Sequence, residues 1–167
     1  TITEETVRGY NTYAKMNPPL RTWKDVQAIK QGLRDGTIDA IATDHAPHAT
    51  QEKQLGFTEA PFGIVGLETA LPLTFALVDE GILSLESAVD KLSTAPAKAF
   101  GLAKGTLAVG ADADVAIVDQ QEQWEVDPAK FRSKSRNTPF AGWKVKGLVT
   151  TTIVGGRVVF EASPAER

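Results

Sequence analysis

Hydrophobic and polar positions follow two regimes along this chain. In the first, Trp23, Val26, Ile29 and Leu33 recur at helical spacing. Thr22-Trp23-Lys24-Asp25 before them reads as a capping box, and Gly36 after them stands where a C-cap is wanted. Upstream, Asn17-Pro18-Pro19 disfavours helix. Residues 38–42 form a short apolar run of strand length that ends abruptly in polar residues. The dense apolar positions of residues 66–80 predict a largely buried helix, with Pro72 near its first turns. Ser84 caps a further predicted helix that places Leu85, Ala88, Val89 and Leu92 on one face, and a third short helix spans residues 96–102. In the second regime, after Gly105, residues 115–118 read as a strand. Residues 144–160 read as two strands around Gly155-Gly156, a pair suited to a hairpin turn at positive φ. The change of regime predicts a boundary near residue 104: residues 1–104 mainly α/β, residues 105–167 mainly β.

Composition narrows the class. The chain has 167 residues, 42% of them hydrophobic and 23% charged, with a formal net charge of -3. These values suit a globular domain and exclude a disordered chain or a fibrous repeat. The longest apolar stretch, residues 64–78, is interrupted by Glu68 and Pro72 and is too short to span a bilayer. No basic excess points to nucleic acid. With no cysteine, disulfides and thiolate metal sites are both excluded. The chain begins at Thr1 and its only methionine is Met16, so it is expected to be a piece of a longer protein.

Candidate chemistry concentrates in Ile41-Ala42-Thr43-Asp44-His45-Ala46-Pro47-His48, which holds both histidines of the chain beside an aspartate. An Asp at the end of a strand in a parallel α/β fold faces the rim where ligands bind. Carboxylate and imidazole suit Zn²⁺ or a similar metal, and the carboxylate can also serve as a general base. The same Asp-His pair equally suits a cap or turn, and three such groups do not complete a four-coordinate site. His45 fits a structural hydrogen bond better than a ligand role. Asn17, before two prolines, offers a rigidly held amide to a polar substrate or simply marks a turn. Ala60-Pro61-Phe62-Gly63 is a stiff loop whose glycine lets backbone approach a ligand, or plain loop punctuation. Lys130, Arg132, Lys134 and Arg136 alternate as an anion patch would, although a solvated loop or edge strand explains them more simply.

These segments together resemble the dihydroorotase family of the amidohydrolase superfamily, metal-dependent hydrolases built on a (β/α)8 barrel. The resemblance rests on Lys15-Met16-Asn17-Pro18-Pro19-Leu20-Arg21, Asp35-Gly36-Thr37-Ile38-Asp39, the run from Ile41 to His48, Glu59-Ala60-Pro61-Phe62-Gly63-Ile64 and Gly66-Leu67-Glu68-Thr69. It continues in Gly105-Thr106-Leu107, Gly110-Ala111-Asp112-Ala113-Asp114 and Asn137-Thr138-Pro139-Phe140. It implies an α/β fold: the last two β/α units of the TIM barrel over residues 1–104, then most of a small β-sandwich domain over residues 105–167. It also implies that Asp44 binds metal and shuttles the proton, that His48 binds near the substrate carboxylate, and that Asn17 hydrogen-bonds the substrate. Phe62 and Gly63 would contact the substrate through their backbone, and no ligand role carries over to His45.

The implied reaction is the reversible hydrolysis of dihydroorotate to N-carbamoyl-L-aspartate in pyrimidine biosynthesis, in the cytoplasm. Zinc, two ions per complete site, would polarise the ring carbonyl and lower the pKa of the attacking water. The family's His-x-His pair, middle metal ligands and substrate-clamping arginine do not occur in this sequence. The chain alone is therefore expected to be inactive and to need the N-terminal remainder of the enzyme. Other expected partners are the small-molecule substrate, a second copy in a homodimer, or aspartate transcarbamoylase; neither nucleic acid nor membrane is expected. Hydantoinases and allantoinases share the fold and the cyclic-amide chemistry, and a non-catalytic dihydroorotase-like scaffold subunit is the alternative outside the enzymes.

Overall fold

The computed structural model describes residues 1–163. Helix α1 (Trp23–Asp35) starts as its sequence dictates. Thr22 Oγ1 accepts the Asp25 N–H at 3.3 Å, and the Asp25 carboxylate accepts the Thr22 N–H at 3.0 Å. This reciprocal pair occupies first-turn donors that have no intrahelical partner. Gly36 ends the helix in the left-handed conformation, at φ 84°. Helix α2 (Thr50–Lys53) is a single turn. Helix α3 (Leu67–Asp79) carries Pro72 as its sixth residue, within its first two turns as expected. The proline ring lacks the N–H that would bond the Glu68 carbonyl, a loss the burial of this helix offsets.

Two helices expected as separate pieces are continuous. Helix α4 (Leu85–Val89) runs through a π-helical turn (Asp90–Thr94) into α5 (Ala95–Ala99), which stops at Phe100, short of the expected residue 102. Ser84 caps the segment by accepting the Ser87 N–H at 3.1 Å.

The strand expected at residues 38–42 forms no ladder among the described residues. Its backbone bonds to the helical segment instead: the Ile41 N–H donates to the Lys91 carbonyl at 2.9 Å, and the Lys91 ammonium donates to the Ile38 carbonyl. Strand identity needs a paired neighbour, and here the polar backbone groups find partners on a helix. The nearest pairing is a single parallel bridge between His45 and Ile64.

The C-terminal third is an antiparallel meander of β1 (Val115–Glu125), β2 (Lys144–Val154) and β3 (Arg157–Glu161), ordered β1-β2-β3. Strand β1 runs well past the expected residue 118, with its register irregular between Asp119 and Gln123. Gly155 and Gly156 make the expected hairpin turn, at φ 55° and 76°. One sheet forms where most of a sandwich was expected, because what packs on β2 is helix α3 rather than a second sheet. At Gly147 the approach is close enough that a Cβ would lie 2.5 Å from the Phe75 ring.

Two apolar clusters hold these layers. Leu33, Leu77, Leu83 and Ala88 join α1, α3 and α4. Val65, Val126, Phe131 and Phe140 join the stretch before α3 to the C-terminal region, so this core crosses residue 104. Between α1 and α3 lies an open apolar cleft of about 520 Å³, lined in part by Val26, Ile29, Leu33, Ile41, Leu73 and Leu77. Among the described residues no helix is long and apolar enough to cross a membrane.

Candidate active site

The loop at Asp44 is fixed by backbone immediately after the aspartate. The His45–Ile64 bridge and a 2.9 Å bond from the Ala46 N–H to the Ile64 carbonyl lay it alongside residues 64–66. Asp44 sits at φ 41°, a left-handed conformation that Asp tolerates better than most side chains. Its side chain is exposed and makes no hydrogen bond or ion pair among the described residues. A strained backbone that frees a carboxylate, instead of using it as a local cap, is a pattern of functional sites.

The two histidines are engaged. His45 Nδ1 accepts the Gly66 N–H at 3.1 Å, which puts the proton of a neutral ring on Nε2 and ties the loop to the entry of α3. His48 Nε2 donates to the Phe62 carbonyl at 2.8 Å, while its Nδ1 faces Glu52 at 3.7 Å. Gly63 lies next to this contact at φ 120°, where a Cβ would come within 2.5 Å of the Ala46 Cβ. Only glycine permits that approach. The exposed Phe62 ring carries the Lys15 ammonium 4.5 Å from its centroid.

His48, Phe62 and Gly63 are thus gathered into one structure. Asn17 is exposed, follows Lys15 by two residues and precedes a cis Asn17–Pro18 peptide. Its amide makes no bond among the described residues. A 2.9 Å bond from the Gly63 N–H to the Lys15 carbonyl brings its stretch to the same loop.

Three residues not anticipated as site residues hold this arrangement. Lys15, buried, donates to the carbonyls of Phe57 and Ala60, each at 2.6 Å. Lys53, fully buried, donates to the carbonyls of Pro61 at 2.9 Å and Gly63 at 3.2 Å. Burial, and then the nearby Lys15 charge, pushes the Lys53 ammonium below the usual lysine range. Asn137, 1% exposed, bonds to Ala46, Gly63 and His48. Lys15 and Asn137 stand in motifs that carry the family resemblance, so a signal existed for them. Lys53 follows Thr50-Gln51-Glu52, a polar run that reads as surface.

The basic alternation belongs to a loop. Lys130, Arg132 and Lys134 are exposed, Arg136 donates to the Ser135 carbonyl at 3.0 Å, and Arg132 packs over Phe160 at 4.7 Å.

The donor set decides what metal chemistry these residues can support. The free Asp44 carboxylate suits a hard or borderline cation. His45 Nδ1 and His48 Nε2 are both committed to backbone groups. No group of three His, Cys, Asp or Glu side chains that could hold a metal ion occurs among the described residues. Asp44 fits as one ligand, and the set present does not complete a site.

Comparison with known proteins gives the family. The model of the amidohydrolase family matches residues 5–159. The dihydroorotase of Geobacter metallireducens is 57% identical over 160 residues, which is 96% of this chain and 38% of that protein. The dihydroorotase of Syntrophus aciditrophicus is 52% identical over 161 residues, again 38% of its length. Among solved structures, the L-hydantoinase (dihydropyrimidinase) of Arthrobacter aurescens is 38% identical with a TM-score of 0.88, covering 96% of this chain and 37% of that one. The D-hydantoinase (dihydropyrimidinase) of a Thermus species is 32% identical with a TM-score of 0.82, covering 90% and 34%. The chain spans about 38% of the length of the curated relatives it matches.

Proposed function

Since this chain belongs to the amidohydrolase family, we propose that it is the C-terminal portion of a dihydroorotase, interconverting dihydroorotate and N-carbamoyl-L-aspartate within a longer polypeptide. Residues 1–104 then complete a (β/α)8 barrel and residues 105–167 contribute to a small β-sandwich closed by strands from elsewhere in the enzyme. The apolar cleft between α1 and α3 is the face on which the rest of the barrel closes.

One observation carries the catalytic reading. In the segment from Asp44 to His48, the aspartate has no partner among the described residues while both histidines are committed to backbone groups. A free carboxylate beside an anchored loop is positioned to exchange protons with a bound substrate. In this reading Asp44 serves as one ligand of a zinc pair, the other ligands lying outside this chain. When bound, the metal polarises the scissile carbonyl and lowers the pKa of the attacking water. An Asp44 carboxylate oxygen takes up the water's proton and returns it to the leaving ring nitrogen. One group acting as base and then as acid suits a reaction that runs in both directions. Asn17 holds the polar edge of the substrate, the His48 ring turns from the Phe62 carbonyl to the substrate carboxylate on binding, and the backbone of Phe62 and Gly63 lies against its ring.

The 57% identity to dihydroorotases, against 38% to the L-hydantoinase, favours dihydroorotate over a hydantoin as substrate. The chain and the full-length enzyme separate under one pair of measurements. The isolated chain should contain no stoichiometric zinc by plasma emission analysis and should not turn over dihydroorotate, whereas the full-length enzyme should do both. Stoichiometric zinc in the isolated chain would refute the division of ligands.

A further inference from the structure

We infer that Asn137 is a positioning residue for the substrate pocket: a single buried amide from the C-terminal region that locks together the two loops carrying His48 and Phe62-Gly63. The inference deepens the proposed function and rests on its assignment of those loops to the substrate.

Asn137 is 1% exposed, yet it is polar and lies outside any helix or strand. Its amide is fully committed to backbone. Nδ2 donates to the Ala46 carbonyl at 2.9 Å and to the Gly63 carbonyl at 3.1 Å. Oδ1 accepts the His48 N–H at 3.2 Å. Its own carbonyl accepts the Val65 N–H at 2.9 Å. An amide offers two donors and an acceptor, and here each is used on a different backbone group of the two loops.

The partners lie 74 to 91 residues away in sequence. The loops share one backbone bridge, His45–Ile64, at the end near Asp44, and beyond it the His48 ring reaches the Phe62 carbonyl across the junction that Asn137 spans. With that bridge, the amide sets the spacing between two surfaces that would face one substrate. The C-terminal region takes part in substrate binding without touching the substrate. Asn137 makes no bond to Asp44, whose loop is also held by the His45–Gly66 bond, so its removal should disturb binding more than the proton transfer.

Asn137→Asp tests this with little change of shape, because it keeps the acceptor and removes both donors. In the full-length enzyme, well below its melting temperature, the variant should raise KM for dihydroorotate at least tenfold and change kcat less than threefold. Asn137→Ser, which keeps one hydroxyl donor, should fall between the two and serves if the aspartate variant does not fold. Hydrogen exchange should quicken at residues 45–48 and 61–66 while helix α1 keeps its protection. An unchanged KM, whatever the loss in melting temperature, overturns the inference, since a purely structural residue lowers stability alone. If the unmodified enzyme hydrolyses hydantoin or dihydrouracil instead of dihydroorotate, the substrate assignment falls, and the same KM split is then measured on that amide. If it hydrolyses none of them, unchanged exchange in both loops overturns the inference.

Discussion

The sheet of β1 to β3 and the loops of residues 44–66 are held by different kinds of bond. In the sheet, neighbouring backbones satisfy one another, Val115 against Ile153 and Thr151 against Glu161, and the ladder bonds need no side chain. In the loops, carbonyls of residues 46 to 63 are satisfied by buried side chains, Lys15 and Asn137 brought from a distance and Lys53 from within the stretch itself. A ladder tolerates the loss of one side chain. A loop tethered by three buried polar groups does not, because each removal leaves buried carbonyls unpaired. Rigidity without regular structure lets the loops carry a strained Asp44 and a close Ala46–Gly63 contact, and it makes them the more fragile region.

Substitutions should divide along that line. The largest effect belongs to Asp44→Asn in the full-length enzyme, which should lower kcat by about 10²- to 10⁴-fold, the range of general acid–base catalysis. Circular dichroism should be unchanged, since the carboxylate has no partner to lose. Near-normal turnover would remove Asp44 from the proton transfer. Next, Gly63→Ala forces a Cβ to within 2.5 Å of Ala46 at φ 120° and should cost about 1–3 kcal/mol of backbone strain. Thermal melting should register that loss, and kcat/KM should drop with it.

Lys53→Met is expected to rank third. It leaves the Pro61 carbonyl without a donor, about 1–3 kcal/mol for a buried group, while the Gly63 carbonyl keeps the Asn137 amide at 3.1 Å, and the loss is partly offset by removing a desolvated charge. It should also change the pH response. The Lys53 pKa is lowered on folding, so between that lowered value and 10.5 the unfolded chain binds more protons and stability rises with pH. The variant should lack this rise in urea melts at alkaline pH. The smallest effect lies at a helix end. Thr22→Ala should cost about 1 kcal/mol of cap. The Asp25 carboxyl is held below its ordinary 3.8, first by the Thr22 hydroxyl. Its contribution is present above that pH and lost as pH falls through the lowered value, so the variant should flatten the acid limb of the stability curve.

The same contrast explains what could be read from the sequence. Local rules found what local bonds make: the Thr22–Asp25 box, the Gly36 cap, the helix around residues 67–79 and the Gly155-Gly156 turn. They misjudged elements whose limits are tertiary. Residues 38–42 look like a strand by apolar run, but pairing depends on a neighbour, and their backbone bonds to Lys91. Strand β1 continues past Gln120, Gln121 and Glu122, a polar irregularity, because Gln123, Trp124 and Glu125 pair again with β2, which only the tertiary structure reveals. In the candidate site, the family resemblance pointed to Asp44, His48 and Gly63, and the structure gathers His48 and Gly63 at one junction beside the Asp44 loop. Of the tethers, Lys15 and Asn137 stand in motifs but gave no sign of their role, and a buried lysine bonded to carbonyls looks in sequence like any surface lysine. Lys53 is the clearest example.

Substrate choice by the full-length enzyme that contains this chain tests the account most directly. Steady-state kcat/KM should be measured side by side for dihydroorotate, dihydrouracil, hydantoin and allantoin. The account predicts turnover of dihydroorotate with a clear preference over the other three. Preference for any of the others, or no turnover of dihydroorotate by a zinc-loaded, folded enzyme, would contradict it.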